Sequence, residues 1–168
     1  MEDGLIALGF DPGLATTGYG VIRAHPGGWE LLEGGVIRTA HGLARTDRLR
    51  EIYDGALHLI EVHRPAAIAI EEVYFATNAR TAMLTAETRG VLLLAAGDLP
   101  VHGYTPLQVK KWITGYGKAN KAQVQEMVKR LLSLSEIPKP DDAADGLALA
   151  LCFLFEQRGV ERGQHVYR

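Results

Sequence analysis

Four carboxylates stand where predicted strands end or a predicted helix begins. Asp11 closes the apolar run LIALGFD just before Pro12-Gly13, and Glu71 closes a second apolar run, AAIAIE. Asp142 and Asp145 lie three apart at the start of a helix that Pro138 and Pro140 introduce, so they share one face. Ligands in open α/β sheets sit beyond the carboxyl ends of the strands. If the first and fourth strands are neighbours, Asp11 and Glu71 meet there, and the helix can deliver the other two acids. Four such groups cannot all stay ionised at close quarters without a counter-charge. Hard oxygen donors suit Mg²⁺ or Mn²⁺, and two such ions can activate a water and stabilise the leaving oxygen of a phosphodiester. Each acid also has an ordinary use. Asp142 and Asp145 would favour the positive end of a helix dipole, Asp141 would serve as an N-cap, and Glu71-Glu72 would make a plain strand exit. Asp11 has no such use, because an acid ending an apolar strand does nothing for solubility.

The basic residues are gathered elsewhere. The chain has 168 residues and a formal net charge of -2, which argues against a polybasic protein. Residues 1–100 hold eight arginines and no lysine against thirteen acids, whereas residues 110–130 hold Lys110, Lys111, Lys118, Lys121, Lys129 and Arg130 against Glu126 alone. Two readings fit that segment: a solvated helix face, or a patch that releases counterions from a polyanion. Trp112 and Tyr116 interleave with the lysines, as on a surface that also stacks on bases, and Gly115 and Gly117 suggest a mobile loop.

These residues need elements to position them. The pattern predicts strands over 5–11, 17–24 and 29–39, the third bearing a kink or bulge at Gly34-Gly35, joined as an antiparallel meander. A helix follows over 49–60 and ends by Pro65; then come a buried parallel strand over 66–71, a helix over 78–96 capped by Asn78, and a strand over 101–104. Helices over 106–114 and 121–134 flank the glycine-rich loop, and a last helix covers 141–155. The result is one α/β domain spanning 1–168, with 157–168 as a frayed tail.

Other chemistries find little support. Cys152 is the only cysteine, which excludes disulfides and Cys-based zinc, and its apolar setting marks it as core. The six histidines show no zinc-type spacing, and Ser133 and Ser135 have no nearby base. Gly13-x-x-x-x-Gly18 precedes Tyr19 where a P-loop has Lys, and Gly18-Tyr19-Gly20 is too short for a dinucleotide fingerprint. No basic leader opens the chain and no apolar run approaches ~20 residues, so a soluble, cytoplasmic protein with no membrane contact is expected.

Four segments carry a family resemblance: GFDPGLATTGYGVI (9–22), AIEEVYFATNARTA (69–82), TPLQVKKWITGYGKANKAQVQEMV (105–128) and PDDAADGLALA (140–150). Together they resemble the RuvC Holliday-junction resolvases, in order and over nearly the whole chain. The resemblance implies a ribonuclease H-like fold with a five-stranded mixed sheet, strands 1–3 antiparallel and strands 4–5 parallel, with helices on both faces. It implies a homodimer that cuts four-way DNA junctions by paired, Mg²⁺-dependent nicks in strands of like polarity, Mn²⁺ substituting, with two ions per site. It also implies partnership with the RuvA and RuvB branch-migration proteins.

The family's acids fall on Asp11, Glu71, Asp142 and Asp145; at Asp142 some relatives carry His. Its stacking aromatic falls on Tyr74, with Phe75 beside it as an apolar wedge, and its DNA-binding lysines on Lys110 and Lys121. Lys111 and Lys118 join them in the basic segment. Thr77 replaces a basic residue of some relatives, which Arg80 could offset. Helix 78–96 offers Ala82, Met83, Ala86, Gly90 and Leu93–Ala96 for a two-fold contact. YqgF-type RNA-processing nucleases and a non-catalytic junction-binding scaffold are the competing expectations. Actin-like ATPases and sugar kinases share an Asp-x-Gly turn but need two domains and a longer chain.

Overall fold

Alternation along the two central strands gives the sheet two unlike faces, and that difference sets the architecture. The computed structural model describes residues 4–72 and 78–162. In chain order its elements are β1 (Ile6–Asp11), β2 (Thr16–His25), β3 (Gly28–Arg38), α1 (Arg45–His63), β4 (Ala67–Glu71), α2 (Ala79–Ala96), β5 (Val101–Tyr104), α3 (Pro106–Thr114), α4 (Lys121–Leu131) and α5 (Asp141–Arg162). The sheet order is β3-β2-β1-β4-β5. β1, β2 and β3 pair antiparallel, while β4 is parallel to both β1 and β5. This is the expected mixed sheet, with β1 beside β4.

On one face β1 and β4 present Leu8, Phe10, Ile68 and Ile70, which pack with Ile52, Ala56 and Leu59 of α1 and Leu92, Ala95 and Ala96 of α2. On the other they present Ala7, Ala67 and Ala69, against α5 residues from Leu147 to Leu154. Small side chains let α5 press onto the sheet, and glycine carries this furthest. A Cβ on Gly18 would lie 1.8 Å from the Asp142 carbonyl oxygen, and one on Gly146 would lie 2.5 Å from the Tyr19 Cα. Both obstacles are backbone, so neither strand nor helix can yield cheaply. Glycine is what lets the start of α5 sit directly over β2.

Local signals set most of the boundaries. Asn78 caps α2, its side chain accepting from the Thr81 N–H at 3.2 Å as expected. Capping boxes open α3 (Thr105 with Gln108) and α4 (Asn120 with Gln123). Asp141 is the first helical residue of α5, one place inside the cap position expected for it. Cys152 is a free thiol with no exposed surface, deep in the core that α5 forms.

Three expectations need correction. The irregularity in β3 falls at Leu32, where the register skips between Val21 and Ile22; Gly34 and Gly35 pair regularly with Gly20 and Tyr19. Those glycines instead make room, since a Cβ on Gly35 would lie 2.9 Å from the Tyr19 hydroxyl. α4 ends at Leu131 and not at 134, because Ser133 turns to positive φ. α5 continues past Phe155 through Arg162, so the part of the expected frayed tail that is described is helical. Its extension is tied down: Phe155 meets Trp29 edge-on, Arg158 lies 3.6 Å over the Trp29 ring, and Arg158 donates to the carbonyls of His25 and Gly28. Among the described residues no helix is long and apolar enough to cross a membrane.

Candidate active site

The four acids converge at one edge of the sheet. β1 and β4 are adjacent and parallel, so their last residues, Asp11 and Glu71, emerge side by side. The close seating of α5 brings Asp142 and Asp145 to the same place from above. One carboxylate oxygen from each of Asp11, Asp142 and Asp145 lies within 4.8 Å of the others. Glu71 joins through a hydrogen bond with Asp11. Spacing raised this set conditionally and the family resemblance named it; the packing of small residues against α5 is the physical means that brings it together.

Burial and mutual repulsion give these carboxyls unusual titration. Burial first, then the neighbouring charge of Glu71, pushes Asp11 up to about 9. Burial also raises Glu71 and Asp145 above the ordinary carboxylate range, although the bond to Asp11 works against this in both. Without a cation, a proton held on Asp11 and donated to its neighbours relieves the repulsion. A set of oxygen donors that retains a proton for want of positive charge fits a hard divalent cation.

Two lysines share a cavity of about 280 Å³ with the acids, its lining including Asp11, Glu71, Asp145, Lys110 and Lys121. Lys121, the first residue of α4, lies 3.4 Å from Asp145 and 3.6 Å from Asp141. Burial alone would lower its ammonium, but Asp145 and the bond to it outweigh that and raise it. Lys110 projects from α3 into the same cavity. Among the described residues, the other predicted DNA-binding side chains are not part of this cavity's lining. Lys111, Lys118 and Arg80 are exposed, at α3, the α3–α4 loop and the first turn of α2. Trp112 packs against the α5-side core, which leaves Tyr116 as the exposed aromatic of the basic segment. Tyr74, Phe75 and Thr77 fall outside the described residues.

The sequence reading missed one side chain that reaches this edge. Arg89, from the middle of α2, donates through Nε to the Glu71 carbonyl and through Nη2 to Glu72 Oε1, each at 3.2 Å. An arginine within a helix has no signature in sequence; only the crossing of α2 behind β4 reveals it. In the α2 stripe, Met83, Ala86, Gly90 and Leu94 are exposed, whereas Ala95 and Ala96 are buried in the core and are unavailable for an outside contact.

Comparison with known proteins bears on this geometry. The family model described as crossover junction endodeoxyribonuclease RuvC matches residues 7–153. Proteins of that name from Natranaerobius thermophilus and Rubrobacter xylanophilus are 50% and 49% identical, over 88% and 91% of this chain and 93% and 87% of their own. Among solved structures, T. thermophilus RuvC in complex with a Holliday junction substrate superposes with a TM-score of 0.87 at 34% identity, covering 92% of this chain and 95% of that one. The yeast mitochondrial Holliday junction resolvase, at 13% identity and a TM-score of 0.66, shares the fold, covering 92% of this chain and 80% of its own.

Proposed function

The chain belongs to the RuvC family of crossover junction endodeoxyribonucleases, and from that premise we propose that it resolves four-way DNA junctions by hydrolysing phosphodiester bonds in paired strands of like polarity. The observation that carries this reading is the gathering of Asp142 with Asp11 and Asp145, and the cavity that Asp11, Glu71 and Asp145 line together with Lys110 and Lys121. Those four carboxylates would hold Mg²⁺, two ions per site, with Mn²⁺ able to replace it. Such ions, when bound, lower the pKa of a water and stabilise the leaving oxygen.

The protein's own groups supply the rest. Asp11 and Glu71, fixed at adjacent strand ends, orient the attacking water, and Asp142 and Asp145 close the site from α5. Lys110 contacts the phosphate backbone next to the scissile bond. Lys121, held by Asp145 and Asp141 in the protein alone, turns to phosphate once the acids have another counter-charge. Lys111, Lys118 and Arg80 extend the cationic surface, and Tyr74 and Phe75 stack on bases at the opened crossover. A single site cuts one strand, so paired cuts call for two copies. The exposed α2 stripe, with Met83 at 65% and Leu94 at 70% exposure, supports a two-fold contact there. The same reading pairs the dimer with RuvA and RuvB.

The test is strand cleavage of a synthetic four-way junction beside a linear duplex of the same sequence and an RNA hairpin, with and without Mg²⁺. Symmetric, metal-dependent nicks confined to the junction are expected. Cleavage of the RNA alone would move the chain to RNA processing, and junction binding with no nicks in any metal would leave a scaffold.

A further inference from the structure

The end of β4 poses a backbone problem. Pairing between β1 and β4 stops at Phe10 and Ile70, so Glu71 lies one residue beyond the ladder on that side. On its other side it is still held, because Glu71 pairs with Tyr104 and the Glu72 N–H donates to the Tyr104 carbonyl at 2.9 Å. A partly buried carbonyl without a strand partner needs a donor from elsewhere. Arg89 supplies it. One guanidinium edge takes the Glu71 carbonyl and a second nitrogen takes the Glu72 carboxylate. The Arg89 side chain is 22% exposed, so this ion pair is more shielded than a typical surface pair.

The surroundings are built to accept this clamp. Glu72 lies flat over β5, where a Cβ on Gly103 would come within 1.7 Å of its Oε1. A side chain at Gly103 would require the Glu72 carboxylate to move from where Arg89 now meets it. A planar, forked cation is also the side chain suited to bridge a carbonyl and a carboxylate at once, which an ammonium cannot match in geometry.

We propose that Arg89 is a positioning residue for metal uptake: by clamping the main chain at Glu71 and the side chain of Glu72, it holds the Glu71 carboxylate toward Asp11. The inference rests on the metal-dependent reading of the site. Arg89 touches neither DNA nor metal in this role; it acts through the strand end. Outer groups that orient a ligand typically change metal affinity 10–100-fold when removed.

The test is Mn²⁺ binding to the DNA-free protein, followed by loss of the free-ion electron paramagnetic resonance signal. Arg89→Ala is expected to weaken Mn²⁺ binding about 10-fold or more, and Arg89→Lys to recover only part of the loss. Glu72→Ala removes one arm of the clamp and should weaken binding by a smaller factor, about 3-fold. It also serves if Arg89→Ala fails to fold. Arg45→Ala, which removes the ion pair between the first residue of α1 and Glu87 of α2, should bind as wild type. Equal Mn²⁺ affinity in wild type and in folded Arg89→Ala, or in Glu72→Ala where the first does not fold, would overturn the clamp alone. A wild-type protein that takes up no Mn²⁺ would overturn the metal reading as well.

Discussion

The two faces of the sheet do different jobs with the same alternation. One presents Leu8, Phe10, Ile68 and Ile70 and builds an aliphatic core with α1 and α2. On the other, β1 and β4 present alanine and glycine beside larger residues such as Ile22 and Tyr104, and α5 closes on the small ones until backbone meets backbone at Gly18 and Gly146. The first face supplies burial, which tolerates volume-conserving changes. The second fixes where the helix stands, and with it where Asp142 and Asp145 stand relative to Asp11. Stability and site geometry are therefore separable here, and substitutions on each face should show it.

The largest expected effect on stability comes from the aliphatic face. Leu8→Ala removes a fully buried side chain and should lose about 2–5 kcal/mol. The variant, where folded, should keep metal-dependent cleavage near the wild-type level at low temperature. Chemical denaturation with a parallel cleavage assay checks this; cleavage lost in the folded variant would deny that the faces are separable.

Gly18→Ala should do the reverse. Overpacking typically loses about 1–3 kcal/mol, which for a domain of this size lowers Tm by about 2–4 °C per kcal/mol. Cleavage should nevertheless fall by far more than that loss implies, because Asp142 must move with the helix backbone. A folded Gly18→Ala protein with full activity would show that α5 can shift without harm.

The acids themselves should oppose folding when no metal is present. A folded-state carboxyl raised to about 9 binds a proton that the unfolded chain has released, so stability falls as pH rises from the ordinary aspartate range through about 9. In chelator, Asp11→Asn should flatten that slope and raise Tm at pH 8 by a few degrees, corresponding to about 1–2 kcal/mol. Thermal melts from pH 5 to 9 decide the matter, and parallel slopes for the two proteins would contradict it.

The smallest effect belongs to the basic segment. Lys110→Ala should weaken junction binding and reduce the slope of log affinity against log salt by about one. A slope unchanged from wild type would remove Lys110 from the phosphate contacts.

The sequence made the acids legible because each closes a pattern: Asp11 and Glu71 end apolar runs, and Asp142 and Asp145 open a helix at one-face spacing. The mixed sheet came with the family resemblance, and the runs alone left the adjacency of the first and fourth strands as a condition that the observed order meets. Less legible was anything that depends on what a residue packs against. Gly34 and Gly35 look like a bulge in a strand pattern, yet they are there for clearance beneath Leu147 and Tyr19, and the bulge falls at Leu32. Gly18 and Gly20 match no ligand motif because they answer to a helix arriving from residue 141 onward. The last helix outran its apolar pattern because Arg158 anchors it on Trp29, a contact between residues far apart in the chain. Lys121 reads as a phosphate contact from the family resemblance, whereas its pairing with Asp141 and Asp145 emerges only when α4 meets α5.

The most direct test of the account is a comparison of wild type and Asp11→Asn on one synthetic four-way junction, with binding and Mg²⁺-dependent nicking measured on the same samples. Junction binding should be equal, with no detectable nicking by the variant. Nicking retained by Asp11→Asn at the wild-type rate would contradict the claim that the carboxylates gathered by α5 form the hydrolytic site.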